Sequence, residues 1–427
     1  MKQLSKSMLI ASVLLAAFHI INGFTRSFPQ STAALSRSSS SSCCFVHNML
    51  PPNLLSGIDD ATTLLTRSQA ITYPLGFLAA FRTGAAISVI NQPQMPKVNA
   101  AVGSTVIRLP TYGTRVRLFY PTTSSSTSNA VMAPYCTDGR QTSDGMARLV
   151  KFDALGLSFL LAHLANASSG CVADGPIDNT SSLGGQDHLP LLVYSHGYGG
   201  NMDMGTYFFR TMASKGMIVA AVEHTDGTAS STVMPDGTER RFNEYFMTGR
   251  QQLTRRASEL LEAVEFLPKE LGRIYMTKVG TIMLGGHSYG APSAIMAANG
   301  ASEDSNIAGL ILHDPALGMG YGMLPPNGAK SKIPSITYTS DEYNRARVRY
   351  GDLTLHVKGA YHGNFVDAPL WAPSVVMRSL SLLIPAAGPS NPVEVHEQLA
   401  QSAAEFIRSK NPASPNVMAG KLFEFVA

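Results

Sequence analysis

Residues 279–298 read VGTIMLGGHSYGAPSAIMAA, and this stretch decides the predicted fold. Val279 to Leu284 is a short apolar run typical of a buried strand, and Ala291 to Ala298 is a small-residue helical pattern. Between them lies Gly286-His287-Ser288-Tyr289-Gly290. A sharp strand-to-helix turn admits only small flanking residues and holds a serine hydroxyl clear of the sheet. The stretch therefore predicts a nucleophilic Ser288 at the edge of an α/β sheet.

Short apolar runs and helical patterns alternate on both sides of this stretch. Such alternation predicts an α/β protein with a mostly parallel sheet flanked by helices. The runs are almost continuously hydrophobic, which indicates burial on both faces of the sheet. Arg250 to Phe266 and about Pro392 to Arg408 are amphipathic and predict covering helices. The predicted strands are Val116 to Tyr120, Leu189 to Tyr194, Met217 to Val222, Val279 to Leu284, Ile307 to Leu312, Ser335 to Thr339 and Leu353 to Val357.

The first 58 residues differ from the rest in composition and predict a targeting leader. Residues 1–23 combine a basic start with an apolar run of about fourteen residues, which suits a signal peptide better than a membrane span. Residues 24–58 are Ser-rich and contain no Asp or Glu, so they are either a transit-like segment or a linker. The predicted destination is the secretory pathway and secretion, with an organelle such as a plastid as the alternative.

The catalytic domain is predicted to span residues 59–427, with an excursion from the sheet at about residues 122–187. The apolar stretch Phe152 to Leu164 predicts one helix there, with an ordinary core helix favoured over one that covers the site or docks on a membrane. Cys136 and Cys171 are either bridged, which would contribute about 4 kcal/mol, or separate buried thiols. The same region holds glycosylation sequons at Asn166-Ala167-Ser168 and Asn179-Thr180-Ser181, which favour a glycoprotein.

Charge and composition exclude two classes of protein. Hydrophobic residues make up 44% and charged residues 15% of the chain, so it is not mainly disordered. The 33 Lys+Arg and 29 Asp+Glu give a net charge of +4, and all four excess positive charges precede Asp59, the first acidic residue. A nucleic-acid binder carries its basic surface on the folded part, so no nucleic-acid partner is predicted. The oligomeric state is left open.

A serine nucleophile needs a base and an orienting acid, which follow in the order Ser, Asp, His in this kind of fold. Asp314 stands at the end of the strand Ile307 to Leu312, where its carboxylate would emerge at the edge that carries Ser288. Asp341, after the next strand, is the rival acid, and Asp367 comes too late in the chain.

The base is predicted from its position after the last strand. His362 lies in the loop Gly359 to Asn364, just past the strand Leu353 to Val357. His356 falls inside a strand pattern and His396 inside a helix, so both are better explained as packed or exposed residues.

An oxyanion needs two fixed backbone donors, one from the residue after the nucleophile and one from the loop after an earlier strand. The N–H of Tyr289 is the first candidate. The second comes from the Gly-rich segment Ser195 to Gly200, in which we favour the N–H of Tyr198; a plain Gly-rich turn is the alternative for this segment.

These segments together resemble the platelet-activating factor acetylhydrolase family, the lipoprotein-associated phospholipase type of α/β-hydrolase, over about residues 100–385. Ala291 departs from the family, which usually has a second Gly there. The resemblance implies calcium-independent release of a short or oxidised sn-2 acyl group from a glycerophospholipid. It implies the roles of Ser288, Asp314 and His362 and of the oxyanion donors Tyr198 and Tyr289. The matching segments are Arg117 to Pro121, Ser195 to Gly199, Ile218 to His224, the Ser288 elbow, Asp314 and Tyr361 to Phe365.

The sequence predicts no cofactor and no metal, because it contains no zinc-binding helix motif, EF-hand loop or dinucleotide fingerprint. The predicted partner is a phospholipid substrate, presented at a membrane or lipid-particle surface. Two alternatives stay open. One is another ester hydrolase, such as a plastid lipase or a chlorophyllase-like enzyme; the other is a non-catalytic lipid-binding scaffold of the same fold.

Overall fold

An eleven-stranded sheet runs through the part of the chain that this computed structural model describes, which is residues 95–123, 130–154, 156, 158–183, 187–371 and 387–426. These residues lie in one compact unit, Gln92–Ala427. The predicted leader segments 1–23 and 24–58 lie outside the described residues. The strands are β1 (Val102–Arg108), β2 (Arg115–Pro121), β3 (Met132–Pro134), β4 (Ser168–Ala173), β5 (Leu189–Ser195), β6 (Ile218–Glu223), β9 (Val279–His287), β10 (Ile307–His313), β11 (Ser335–Thr339), β12 (Leu353–Val357) and β13 (Phe423–Phe425), while β7 (Ser231–Val233) and β8 (Glu239–Arg241) form a separate hairpin.

The sheet is parallel through its centre and antiparallel towards its edges. Its order is β13-β12-β11-β10-β9-β5-β6-β2-β1-β4-β3. Each neighbouring pair from β12 to β6 is parallel. Strand β2 runs antiparallel to both β6 and β1, and β13 antiparallel to β12. The carboxyl ends of β5, β9, β10, β11 and β12 therefore meet at one edge of the sheet.

Helices cover both faces of the sheet. Leu192 and Tyr194 of β5 face a core that includes helix residues Phe209 and Phe406, whereas Leu191 and Val193 face the opposite core. This alternation is expected of a strand buried on both sides. The predicted α/β-hydrolase architecture, a mostly parallel sheet flanked by helices, is confirmed. The helices are α1 (Arg140–Leu149), α2 (Phe159–Ala162), α3 (Thr206–Ala213), α4 (Gly249–Tyr275), α5 (Gly290–Gly300), α6 (Asp341–Arg345), α7 (Ala368–Trp371) and α8 (Pro392–Ser409).

The seven predicted strands are all present, and their bounds differ from the predictions by no more than three residues. The largest difference is β9, which continues through Gly285 and Gly286 to His287 because these residues still pair with β5 and β10. Strand β1 was not predicted. Its sequence, VGSTVIR, mixes polar residues and a glycine with the apolar ones, and its second half alternates between buried and exposed side chains.

Residues 122–187 return to the sheet instead of leaving it entirely. Strands β3 and β4 pair with each other, and β4 adds to β1 in parallel. Among its described residues, the apolar stretch Phe152 to Leu164 forms the single turn α2 and then enters a 3₁₀ turn over His163–Asn166. Gly156, with φ of +67°, has a left-handed backbone incompatible with a helix running through it. The longer helix of this region is α1.

The two cysteines are buried in the structure, whereas the two sequon asparagines are exposed. Cys136 and Cys171 are both buried and free, so they are not bridged. Burial raises the pKa of each thiol, which makes both unreactive. Asn166 and Asn179 are exposed. Among the helices of the described residues, none combines the length and the apolar character that crossing a membrane requires.

Candidate active site

The nucleophile elbow joins β9 to α5 at the carboxyl edge of the sheet. Ser288 adopts φ of +53°, a left-handed conformation that is strained for a residue with a side chain. Its N–H donates to the carbonyl of His313 at 2.9 Å, which anchors the turn to the end of β10. The turn tolerates little at its glycines, because a Cβ on Gly290 would collide with the Ser195 carbonyl. Ser288 is half-buried, so its hydroxyl is held at an accessible edge.

Asp314 and His362 are hydrogen-bonded to each other. His362 Nδ1 lies 2.6 Å from Asp314 Oδ2, and the N–H of Ser340 donates to Asp314 Oδ1 at 2.6 Å. Asp314 is fully buried, whereas the His362 side chain is 31% exposed. A carboxylate on Nδ1 fixes the imidazole tautomer that leaves Nε2 free to accept a proton. This is the arrangement that a general base requires.

His362 also lies against the nucleophile elbow. Its ring centroid is 4.5 Å from that of His287, the residue before Ser288. Burial holds the pKa of His287 well below its usual value, so this neighbour is neutral. The structure thus brings together the three predicted triad residues at the ends of β9, β10 and β12.

The predicted oxyanion loop reaches the elbow as well. A Cβ built on Gly197 would lie 3.1 Å from the Cβ of Ser288, so a side chain there would require the elbow to shift by a few tenths of an ångström. The rings of Tyr198 and Tyr289 are 5.5 Å apart in an edge-to-face contact. Within the described residues, no hydrogen-bond partner is found for the backbone N–H of either tyrosine. Their role as the two oxyanion donors stays a prediction.

A fully buried polar network supports this loop from below, and sequence reasoning missed it. Ser195 Oγ lies 2.7 Å from His224 Nε2, and His224 Nδ1 lies 2.6 Å from Glu259. Arg256 donates to the carbonyl of His196 at 2.6 Å and is paired with Asp226 at 3.0 Å. Its guanidinium also lies over the Tyr289 ring. The Ser-His-Glu chain has no solvent access, so it positions the loop and does not act on a substrate. Its sequence signals were Arg256 and Glu259, three residues apart on one amphipathic helix, and the family-like segments that contain Ser195 and His224.

The other acids and histidines considered from the sequence form hydrogen bonds outside the Asp314–His362 pair. Asp341 accepts from His356 Nε2 at 2.8 Å and from the N–H of Gly359. His396 is buried in α8, with Nε2 3.3 Å from the carbonyl of Val366. Asp367 is buried, accepts the N–H of Tyr207 at 3.1 Å, and has its pKa raised to about 8 by burial.

Two further residues contact the base, Glu342 and Tyr343, and neither was singled out from the sequence. The N–H of His362 donates to Glu342 Oε2 at 3.2 Å. The Tyr343 ring stacks on the His362 ring at 5.0 Å and 13°. A polar cluster directly after a parallel strand, here after β11, was the signal that could have identified them.

The described residues offer no cluster of metal-binding side chains. No group of three His, Cys, Asp or Glu side chains is arranged there to hold a metal ion.

Comparison with known proteins finds partial matches to one family. Residues 90–278 match the family model described as platelet-activating factor acetylhydrolase, isoform II. The platelet-activating factor acetylhydrolase of Canis lupus familiaris is 31% identical over 34% of this chain and 32% of its own length. That of Cavia porcellus is 25% identical over 62% of this chain and 66% of its own length. The chain thus spans less than two thirds of these relatives, and the family match ends before Ser288.

A comparison of folds extends over most of the chain. A ferulic acid esterase from Streptomyces cinnamoneus has a TM-score of 0.55 and 19% identity, covering 78% of this chain and 98% of that one. At this identity the likeness establishes the fold alone. The described chain has an α/β-hydrolase fold, and its predicted resemblance to the platelet-activating factor acetylhydrolase family is confirmed by the match over residues 90–278.

Proposed function

We propose that the protein is a serine ester hydrolase that acts on glycerophospholipids with a short or oxidised sn-2 acyl group. The observation that carries this proposal is the Asp314–His362 hydrogen bond beside the strained Ser288 elbow. The activity is that of a 1-alkyl-2-acetylglycerophosphocholine esterase, and it needs no calcium. The substrate class is supported by the names of the matched relatives.

The mechanism follows from the geometry. His362 Nε2 removes the proton of the Ser288 hydroxyl as its oxygen attacks the ester carbonyl. The oxyanion is stabilised by the N–H groups of Tyr198 and Tyr289. Protonated His362, stabilised by Asp314, then gives its proton to the departing lyso-lipid oxygen. A water activated by His362 attacks the acyl-enzyme, and the acid leaves while Ser288 recovers its proton.

The test is hydrolysis of matched phospholipids with sn-2 acetyl or sn-2 long-chain groups by the full chain, with chelator present. We expect acetyl-selective hydrolysis that falls to background in Ser288→Ala, because no other described residue occupies the elbow. Activity on long-chain lipids or unrelated esters only would favour another ester hydrolase, such as a plastid lipase or a chlorophyllase-like enzyme. Binding of lipid without any turnover would favour the non-catalytic scaffold, and full activity of Ser288→Ala would remove the proposed nucleophile.

The cellular setting is a proposal of the same kind. We propose that the chain enters the secretory pathway and meets its lipid at a membrane or lipid-particle surface. Asn166 and Asn179 are exposed, which suits glycosylation there. A mass shift on glycosidase treatment, absent from an Asn166→Gln/Asn179→Gln variant, tests the secretory route. Accumulation of unglycosylated chain in plastids would favour the organelle instead.

A further inference from the structure

The loops that carry Asp314 and His362 are joined by a short segment that follows β11, Ser340–Tyr343, which we call the tether segment. The N–H of Ser340 donates to the Asp314 carboxylate at 2.6 Å. The N–H of Asp341 donates to the carbonyl of Ala360 at 2.9 Å, two residues before His362. The tether segment therefore contacts both partners of the base–acid pair.

Glu342 contacts the backbone of the histidine loop, whereas most glutamate side chains near a protein surface face solvent. Its Oε2 accepts the N–H of His362, while its Oε1 is buried and has no hydrogen-bond partner among the described residues. Burial raises the pKa of Glu342, against an opposing contribution from the Ser340 side chain, and the nearby Asp314 charge also raises it. Within the described part of the chain, it forms no ion pair with an Arg or Lys that would offset this burial. Burying a carboxylate without an ion pair costs folding free energy, so the site is not explained by stability alone.

Tyr343 restrains the same histidine through its ring. The two rings are nearly parallel, 13° apart, with centroids separated by 5.0 Å. Burial raises the pKa of Tyr343, so its hydroxyl is neutral. Tyr343 thus contacts the predicted base directly.

We propose that Glu342 and Tyr343 are positioning residues for His362, an inference that rests on the proposed function. Glu342 fixes the backbone of the histidine loop, and Tyr343 fixes the plane of the imidazole. His362 is one-third exposed and begins a short 3₁₀ turn, so its orientation depends on the side chains packed against its ring. The two contacts keep Nδ1 on the carboxylate and Nε2 directed at the nucleophile. Misplacing a reacting group by about 1 Å lowers the rate about 100-fold.

The test separates the hydrogen-bond acceptor at position 342 from the side chain as such. Glu342→Gln retains a carbonyl oxygen for the His362 N–H, whereas Glu342→Ala does not. With a soluble short-chain ester as substrate, we expect Glu342→Ala to lower kcat about 10- to 100-fold with little change in KM. Glu342→Gln should remain within about threefold of wild type, because the acceptor is retained.

Glu262 provides the matched control. It also accepts a backbone N–H, that of Thr111, and its second oxygen is likewise buried without a partner in the described residues. It lies on α4, in contact with neither triad loop. Glu262→Ala should change thermal stability but leave kcat unchanged.

A spectroscopic readout reports the orientation of the histidine directly. The proton of His362 Nδ1 in its 2.6 Å hydrogen bond should resonate far downfield in the proton NMR spectrum. We expect the signal to persist in Tyr343→Phe, which keeps the ring, and to broaden or vanish in Tyr343→Ala and Glu342→Ala. The tyrosine pair keeps the proposal testable even if Glu342→Ala does not fold.

The outcomes distinguish this inference from the proposed function. Wild-type kcat in both Glu342→Ala and Tyr343→Ala, with no activity in Ser288→Ala, would overturn the positioning role alone. Equal losses in Glu342→Gln and Glu342→Ala would also overturn it, since the acceptor would not be what matters. Undiminished activity in Ser288→Ala would instead contradict the proposed function.

Discussion

The two residues nearest the chemistry share an uncommon backbone conformation. Ser288 has φ of +53° and Asp314 has φ of +47°, although neither is a glycine. Each is stabilised by the adjacent strand end: Ser288 N–H donates to the His313 carbonyl, and Asp314 N–H donates to the Tyr338 carbonyl at 2.7 Å. Strain of this kind persists only when surrounding contacts determine it. The site is thus held in a strained conformation by the sheet beneath it.

At the residue scale, Asp314→Asn tests which carboxylate orients the base. An amide on His362 Nδ1 favours the wrong tautomer, so we expect kcat to fall by about 10³- to 10⁴-fold with thermal stability largely retained. Steady-state kinetics on a short-chain ester gives the measurement. Asp352→Asn is the matched control, because Asp352 also accepts a backbone N–H, that of Ser335, at the opposite end of the parallel strands. A loss below tenfold in Asp314→Asn would identify a different acid.

The sequence distinguished Asp314 from Asp341 only by strand order. Both follow parallel strands, so both emerge at the catalytic edge, and nothing in their local sequence reveals which one the His362 loop will reach. That choice depends on the tether segment, whose Asp341 binds His356 and Gly359 instead. Contacts between loops far apart in the chain are the part of the site that local patterns do not encode.

At the scale of elements, the elbow depends on how closely α5 approaches β5. The first residue of α5, Gly290, lies against the carbonyls of Ser195 and His196, and Gly286 lies against the backbone of Gly290. This close approach aligns the start of α5 with the oxyanion loop. Glycine is required here for space, since Gly290 has no positive φ.

Gly290→Ala should therefore displace the elbow. The added methyl group has no room beside the Ser195 carbonyl, and overpacking of this kind costs about 1–3 kcal/mol. We expect a lower denaturant midpoint and a loss of esterase activity larger than the loss of folded protein. Gly300→Ala, at the other end of α5, is the control, because a Cβ there meets nothing within 4 Å. It should be neutral or stabilising by about 0.5 kcal/mol. Equal behaviour of the two variants would refute the packing argument.

At the scale of the whole molecule, the parallel sheet was predictable and its edges were not. The central strands are apolar on both faces, so continuous hydrophobic runs identify them. Strands β3, β4 and β13 have three to six residues, and among the described strands β13 pairs only with β12. Such strands depend on the edge they join and not on their own composition. The resemblance to a known family, which rests on the sequence alone, implied the order of the site residues Ser288, Asp314 and His362 along the chain.

The protein interior also contains two sets of titratable groups that change stability in opposite directions as the pH changes. Burial lowers the pKa of five histidines, which are His196, His224, His287, His313 and His396. Burial raises the pKa of Glu223 to about 7 and that of Asp367 to about 8. The histidines reduce the free energy of unfolding as the pH falls below about 6.5, and the carboxyls reduce it as the pH rises above about 4. The free energy of unfolding depends on pH through the sum of these opposing contributions. The contribution of one group is therefore best measured by comparing a variant with wild type.

His313 is the clearest case for that comparison. It is buried among Tyr194, Phe208, Tyr338 and Phe365, and burial lowers its pKa from 6.5 to about 3. Between pH 3 and 6.5 the unfolded chain binds a proton at this site and the folded chain does not, so wild type loses stability on acidification. His313→Phe lacks this proton, and its unfolding free energy relative to wild type should rise by about 2 kcal/mol from pH 7 to pH 5.

Urea unfolding at the two pH values measures this difference, and the other titrating groups cancel because both proteins contain them. Tyr194→Phe is the control, since it removes the hydroxyl bonded to His313 Nδ1 at 2.8 Å but keeps the imidazole. It should be less stable than wild type by about 1 kcal/mol at both pH values and should keep the wild-type pH dependence. Parallel curves for His313→Phe and wild type would mean that the folded protein also protonates at this position, which would require the aromatic cluster around His313 to open under acid.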